Sequence, residues 1–230
     1  MTNRRPVASL VATIAVAAVG CDNDPVKNRP QAIVAADAQA VAAGGPPPGS
    51  KAQFFDFSPA DSSINFVGAK VTKKHDGSFG AFKGKIGLVG GDPIFSAVTV
   101  EIETASLTAD SDKLAVHLKS ADFLDVANFP KATFSSTTIR PGEGASKYNV
   151  TGRLGLHGVS KPITFPATIR IAPAEVTIDA EFGVNRKDFG IVYPGAADDL
   201  IKDDVLIKLA LHAKPMKPAG AGPSDAQATD

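Results

Sequence analysis

Residues 147–171, KYNVTGRLGLHGVSKPITFPATIRI, hold two runs of alternating apolar and polar residues on either side of a short turn sequence. In the first, Tyr148, Val150, Leu154 and Leu156 alternate with Asn149, Thr151, Arg153 and His157. In the second, Ile163, Phe165, Ala167, Ile169 and Ile171 alternate with Thr164, Pro166, Thr168 and Arg170. Side chains along a strand point to opposite faces in turn, so a period of two marks one apolar and one polar face. The GVSKP segment at 158–162 carries turn chemistry and is short, which predicts antiparallel pairing of the two strands.

The same pattern extends outward in both directions. Val98, Val100 and Ile102 share a face, as do Val176, Ile178, Ala180 and Phe182, and Val205, Ile207, Leu209 and Leu211. Weaker versions occupy 62–72, 81–90 and 132–140, where glycine and serine dilute the alternation. Between them stand KHDG at 74–77, GGDP at 90–93, PGEG at 141–144 and Ala172-Pro173, all read as turns. About eight such strands, each with one apolar face, remove their edges by closing into an antiparallel up-and-down barrel. A two-sheet sandwich is the rival. Long strands, tight connections and small inward residues (Ala132, Gly152, Ala167 and Ala180) favour an all-β, eight-stranded barrel with room inside. A barrel of this size either fills itself with side chains or holds one slender ligand.

Two connections are longer, 110–130 and 185–203. In the first, Leu114, His117, Leu118 and Phe123 fall near helical spacing, Ser120 can cap a short turn and Pro130 ends the irregular run. Connections of this length commonly act as lids. Short helical turns are therefore expected at 110–130, with Phe123, Phe129 and Phe134 turned over the barrel end and His117, Lys119, Asp122 and Asp125 at the rim.

Lysine plus arginine and aspartate plus glutamate each number 24, which gives no electrostatic pull towards nucleic acid. Arg4 and Arg5 precede an apolar stretch from Val7 to Val19, and the only cysteine of the chain, Cys21, follows Gly20. This layout predicts a signal peptide over 1–20 and resembles a bacterial lipobox, with Cys21 acylated. The 21–50 segment, rich in Ala, Pro and Gly, reads as a flexible tether with a span of roughly 30 Å. The folded domain is expected over 51–214 and a disordered tail over 215–230.

Six sequence blocks run in order through this domain: SINF at 63–66, GSF at 77–79, ASL at 105–107, HLKSADF with FPKATF at 117–134, TGRLGLHGVSKPI at 151–163 and NRKDFGI at 185–191. Together they resemble the YceI-like family of bacterial periplasmic proteins, with Leu124 standing where a second aromatic is common. The resemblance implies a lipocalin-like barrel that binds polyisoprenoid or similar long-chain lipids, with no established reaction. On that reading Phe66, Phe82, Val100, Phe134, Leu154, Phe165 and Phe182 line a cavity, and His117, Phe123, Arg186 and Asp188 form its mouth. A bound polyprenyl, quinone or fatty acyl lipid is expected, with no metal or other cofactor. The expected setting is the periplasm, with an acylated Cys21 in a bacterial membrane, the inner one favoured by Asp22. A protein partner is left open.

The residues also allow other readings. His75, His117, His157 and His212 show no metal-ligand spacing, and no nucleophile elbow is present. His157 and His212 fall on polar faces. His117 with Asp122 or Asp125 could act as an acid/base pair, or His117 could hold the loop by hydrogen bonding. Arg186 and Asp188 could clamp a phosphate or carbonyl headgroup, or Arg186 could close the barrel end by pairing with Asp188 or a loop carboxylate. An enzyme acting on a lipid, or a filled barrel with a structural role, remain the alternatives to a lipid-binding module.

Overall fold

The computed structural model describes residues 23–35, 47–197 and 199–216. The expected signal peptide, Cys21 and nearly all of the expected tail lie outside them. The elements are β1 (Ile33–Val34), β2 (Ala52–Phe57), β3 (Ser63–Ala69), β4 (Lys74–Phe79), β5 (Phe82–Val89), β6 (Asp92–Glu103), β7 (Leu107–Ala109) and α1 (Asp112–Lys119). After the helix come β8 (Lys131–Pro141), β9 (Lys147–Leu156), β10 (Val159–Ala172), β11 (Glu175–Asn185), the short β12 (Gly195–Ala196) and β13 (Asp199–Leu200), and β14 (Asp204–Pro215).

Strands β2, β5, β6, β8, β9, β10, β11 and β14 pair in chain order, every pair antiparallel, and β14 returns to β2 through Lys214–Asp56 and Pro215–Phe55. The circuit is a closed eight-stranded barrel, as the alternation predicts. Its membership differs from the expectation in one place. Ala52–Phe57 is a stave, whereas Ser63–Ala69 pairs with β14 and β4 beside the circuit. The KHDG segment is also corrected: it opens β4, which pairs with β3 and β7 to form a flap. The β3–β4 turn falls earlier, at 70–73, where Lys70 N–H bonds the Lys73 carbonyl at 2.8 Å.

β10 and β11 pair only from Thr168–Asp179 to Ala172–Glu175, then splay apart. The chain's own N-terminal segment fills this seam. Ile33 and Val34 pair with Thr164 and Ile163 of β10, while Ala32 N–H donates to the Gly183 carbonyl at 2.8 Å and Gly183 N–H to that of Pro30 at 2.9 Å. Upstream, Arg29 meets Glu181 at 2.8 Å and Val26 packs on Val67 and Leu206. The tether expected to begin at residue 21 therefore gives way, over 23–35, to a belt around the barrel wall. Unpaired strand-edge amides and carbonyls at the seam are costly to leave buried, and the belt satisfies them.

Inside, buried side chains divide along the barrel axis. Phe55, Ile86, Leu88, Val98, Ile139, Val150, Ile169, Val176, Ile178 and Ala213 meet in one solid half. Ala167 and Ala180, expected to leave room, are packed within this core. At Gly152 the missing side chain seats an aromatic ring: a Cβ there would collide with Phe134 and the Ser135 carbonyl.

Candidate functional site: an apolar cavity under a helical lid

The other half of the barrel is hollow. A cavity of about 260 Å³ lies between β6, β8, β9, β10, β11, β14 and the flap, lined almost wholly by apolar side chains. It exceeds the roughly 150 Å³ of an engineered apolar void that takes up benzene, and lies just under the range of about 300–1,000 Å³ common for ligand pockets. Aromatic rings of its lining pack against one another. Phe165 and Phe182 stack with centroids 4.2 Å apart behind the β10–β11 seam, and Phe134 leans on Phe165 at 5.6 Å. Phe66 and Phe79 meet at 5.8 Å on the flap side.

Four connections surround the open end: 70–73, 104–130, 157–158 and 186–203. The second builds the lid. Ser111 caps α1 by accepting from the Leu114 N–H at 3.2 Å, and the Ser120 hydroxyl closes the other end on the His117 carbonyl at 2.8 Å. Leu114 and Leu118, one helical turn apart, face the cavity together with Phe123 and Leu124. His117 points elsewhere: its Nε2 lies 2.8 Å from Asp122 Oδ2, and its ring meets Phe123 and Tyr193 edge-on at 5.0 and 5.1 Å. The His117–Asp122 pair stays within the lid, and the His117 and Phe123 rings tie it to Tyr193 of the 186–203 connection.

Arg186 is 5 % exposed and borders the cavity. Its guanidinium is committed to the chain: Nη2 bonds Asp203 Oδ1 at 3.0 Å, Nη1 the Ile191 carbonyl at 2.7 Å and Nε the Lys202 carbonyl at 3.2 Å. Of the readings open for Arg186, pairing with a loop carboxylate is the one observed, and that carboxylate is Asp203. Burial draws the Arg186 pKa down from its ordinary value, and Asp203 opposes the shift. Asp188 turns outward to Lys161 at 4.0 Å.

Of the residues singled out from the sequence, Phe66, Val100, Phe123, Phe134, Leu154, Phe165, Phe182 and Arg186 border the cavity. Three do not. Phe82 is level with Ile102 of the lining but is buried against Phe57, at 6.5 Å between ring centroids, while His117 and Asp188 lie outside the lining. Phe129, expected over the barrel end, packs on His157 at 4.8 Å. His157 itself sits in the β9–β10 turn at φ 51°, its Nδ1 3.2 Å from the Phe189 carbonyl, not on a strand's polar face. The lining also includes Phe79, Ile102, Ile191 and Ile207, and at the mouth Lys70, His75 and Lys202. His75 Nδ1 lies 2.9 Å from Asp110 Oδ1, and this hydrogen bond is the main cause lowering the Asp110 pKa. Leu114 and Leu118 were legible as a helical pair, whereas the lysines of the mouth carried no pattern.

A recess of about 410 Å³ on the outer wall, between Asn65, Asp179, Glu181 and Lys208, is open and polar. Its carboxylates are already engaged by Arg29 and Arg170. Among the described residues, no three His, Cys, Asp or Glu side chains gather to hold a metal ion.

Comparison with known proteins agrees with this architecture. A UPF0312 protein of Pseudomonas putida is 36% identical over 138 residues, 57% of this chain and 71% of its own. One of Pseudomonas syringae pv. tomato is 32% identical over 158 residues, 66% of this chain and 78% of its own. Among solved structures, Burkholderia cenocepacia BcnA superposes with a TM-score of 0.61 at 27% identity, covering 69% of this chain and 99% of BcnA. A polyisoprenoid binding domain from Saccharophagus degradans, implicated in plant cell wall breakdown, shares the fold at 17% identity and a TM-score of 0.58, over 72% of this chain and 100% of that domain. Residues 55–213 match the YceI-like domain, and the chain belongs to the YceI-like family.

Proposed function

We propose that this protein binds a long-chain isoprenoid or comparable amphiphilic lipid, with the tail in the hollow half of the barrel, and carries or sequesters it in the periplasm. The observation that supports this most is the cavity itself: apolar on every wall, roofed by Leu114, Leu118, Phe123 and Leu124, and polar only at its mouth. The Saccharophagus degradans domain of the same fold supplies the ligand class. A polyprenyl, quinone or fatty acyl tail offers no hydrogen bonds, so affinity comes from apolar surface removed from water. At about 0.8 kcal/mol per buried methylene, ten methylenes supply roughly 8 kcal/mol before association and ordering costs.

Phe66, Val100, Phe123, Phe134, Leu154, Phe165 and Phe182 would touch the tail. Arg186 holds the mouth in shape. Acylation of Cys21 would keep the protein at a bacterial membrane, the inner one by the reading of Asp22. The enzyme alternative is weaker because the His117–Asp122 pair faces Tyr193 and lies outside the lining. Native mass spectrometry of protein purified without detergent tests the proposal. A retained long-chain lipid, or uptake of added prenyl lipid, is expected; bare polypeptide under both conditions would overturn it.

A further inference from the structure

The belt alters where the chain's N-terminal end leaves the barrel. Asn23, the first described residue, donates from its side-chain amide to the Val71 carbonyl at 2.8 Å, and Val71 sits in the 70–73 connection at the cavity mouth. The Val71 N–H in turn bonds the Leu200 carbonyl at 3.1 Å. Cys21 is two residues upstream, so even a fully extended backbone places it within about 7 Å of Asn23, not at the end of a tether of roughly 30 Å. The chain upstream of the fold therefore departs from the rim of the cavity.

The same rim is greasy on its outside. Val71 is 54 % exposed, Val116 71 %, Val192 63 % and Leu200 49 %. Val116 lies two positions from both Leu114 and Leu118, so it occupies the face of α1 opposite the one turned to the cavity. Val192 lies between Ile191, which lines the cavity, and Tyr193, which packs on the lid. Single exposed valines are unremarkable, but these belong to three of the four connections surrounding one opening. Phe54, Ile171 and Met216 are exposed at or near the opposite end and Ile33 on the belt, all away from the departure of the chain towards Cys21.

From this juxtaposition we infer that the mouth of the barrel docks on the lipid bilayer, with Val71, Val116, Val192 and Leu200 as its contact points. The inference rests on the lipid-binding reading above and adds an orientation to it: the cavity opens onto the phase in which its ligand dissolves. A tail can then pass from bilayer to barrel under the lid without crossing water.

Labelling of the full chain on vesicles of phosphatidylethanolamine and phosphatidylglycerol tests this. An environment-sensitive fluorophore is attached in Val116→Cys, Val192→Cys and, at the far-end turn, Glu143→Cys, with the parent chain as the labelling blank. Emission from positions 116 and 192 should shift to the blue and be quenched by nitroxide-bearing lipids, and that from 143 should do neither. Equal quenching at 143, or none at any position, would overturn the orientation. In a second arm, the pair Val116→Asp with Val192→Asp should slow uptake of a fluorescent prenyl lipid from vesicles about tenfold and leave uptake from detergent micelles unchanged. Unchanged uptake from vesicles would contradict the proposal. Failure of micelle uptake in the parent chain would instead remove the binding reading, and the quenching arm would still decide the orientation.

Discussion

The two halves of the barrel share β6, β8, β9, β10, β11 and β14, with β2 and β5 completing one and the flap the other, yet one is solid and the other hollow. In the solid half Ile86, Leu88, Val98, Ile139, Val150, Ile169 and Val176 reach the axis from opposite walls. In the hollow half the inward positions carry larger side chains, and the space is still open. The difference lies in direction. Phe165 and Phe182 stack on each other at an interplanar angle of 13°, and Phe134 lies over Gly152, so these rings pack on one another and on the wall. Volume alone therefore does not fill a barrel; rings that find partners along the wall keep it open.

That contrast can be broken most forcefully from the solid side. Ile86→Ala should cost about 3–4 kcal/mol in denaturant unfolding, because Ile86 is enclosed on all sides, and lipid retention should persist in the protein that remains folded. Arg186→Ala comes next, at about 2–3 kcal/mol, since it leaves the Ile191 and Lys202 carbonyls without their donor and Asp203 with only Lys187, at 2.8 Å. Leu154→Ala in the hollow half should cost only about 1–2 kcal/mol, because part of that side chain already faces empty space, and should widen the range of tails accepted.

The smallest effect expected is electrostatic. Burial first, then Asp24 and Asp203, raises the Asp204 pKa from its ordinary value. The folded state thus holds this proton more tightly than the unfolded chain, and the resulting stability is fully present below about pH 3.9 and lost as pH rises through the raised folded value. Asp204→Asn should therefore raise stability at neutral pH by about a few tenths of a kcal/mol, discounted for solvent screening, and the gain should vanish in acid. Thermal melts at two pH values check the sign.

The barrel was legible because period-two alternation survives in the strands with a buried inner face. It faded where local geometry breaks the period. In β8, Phe134 pairs with Leu154 and Ile139 with Val150, and the register shifts between Ser136 and Thr138, so inward positions change from even to odd numbers. A bulge of this kind looks like dilution by serine and threonine when only the sequence is read. KHDG has turn chemistry, yet in β4 its backbone pairs with two neighbours, and pairing outweighs propensity. The belt has the sequence of a tether because its composition is poor in bulky apolar residues; its hold comes from backbone hydrogen bonds at a seam that no local pattern announces. Likewise, alternation places Phe82 inward correctly but is silent on its packing partner, Phe57, which turns it away from the cavity.

The central claim is that the hollow half is the space a hydrocarbon tail occupies, and Ala132→Phe addresses it directly. Ala132 is buried, lines the cavity and pairs across β8 and β6 with Ile102. Titration of a fluorescent long-chain fatty acid or prenyl probe, with a thermal melt of the same samples, compares the variant with the parent. The account predicts that the ring fills the hollow, so probe binding is lost while the melting temperature is unchanged or higher. Undiminished binding by a folded Ala132→Phe protein would contradict it.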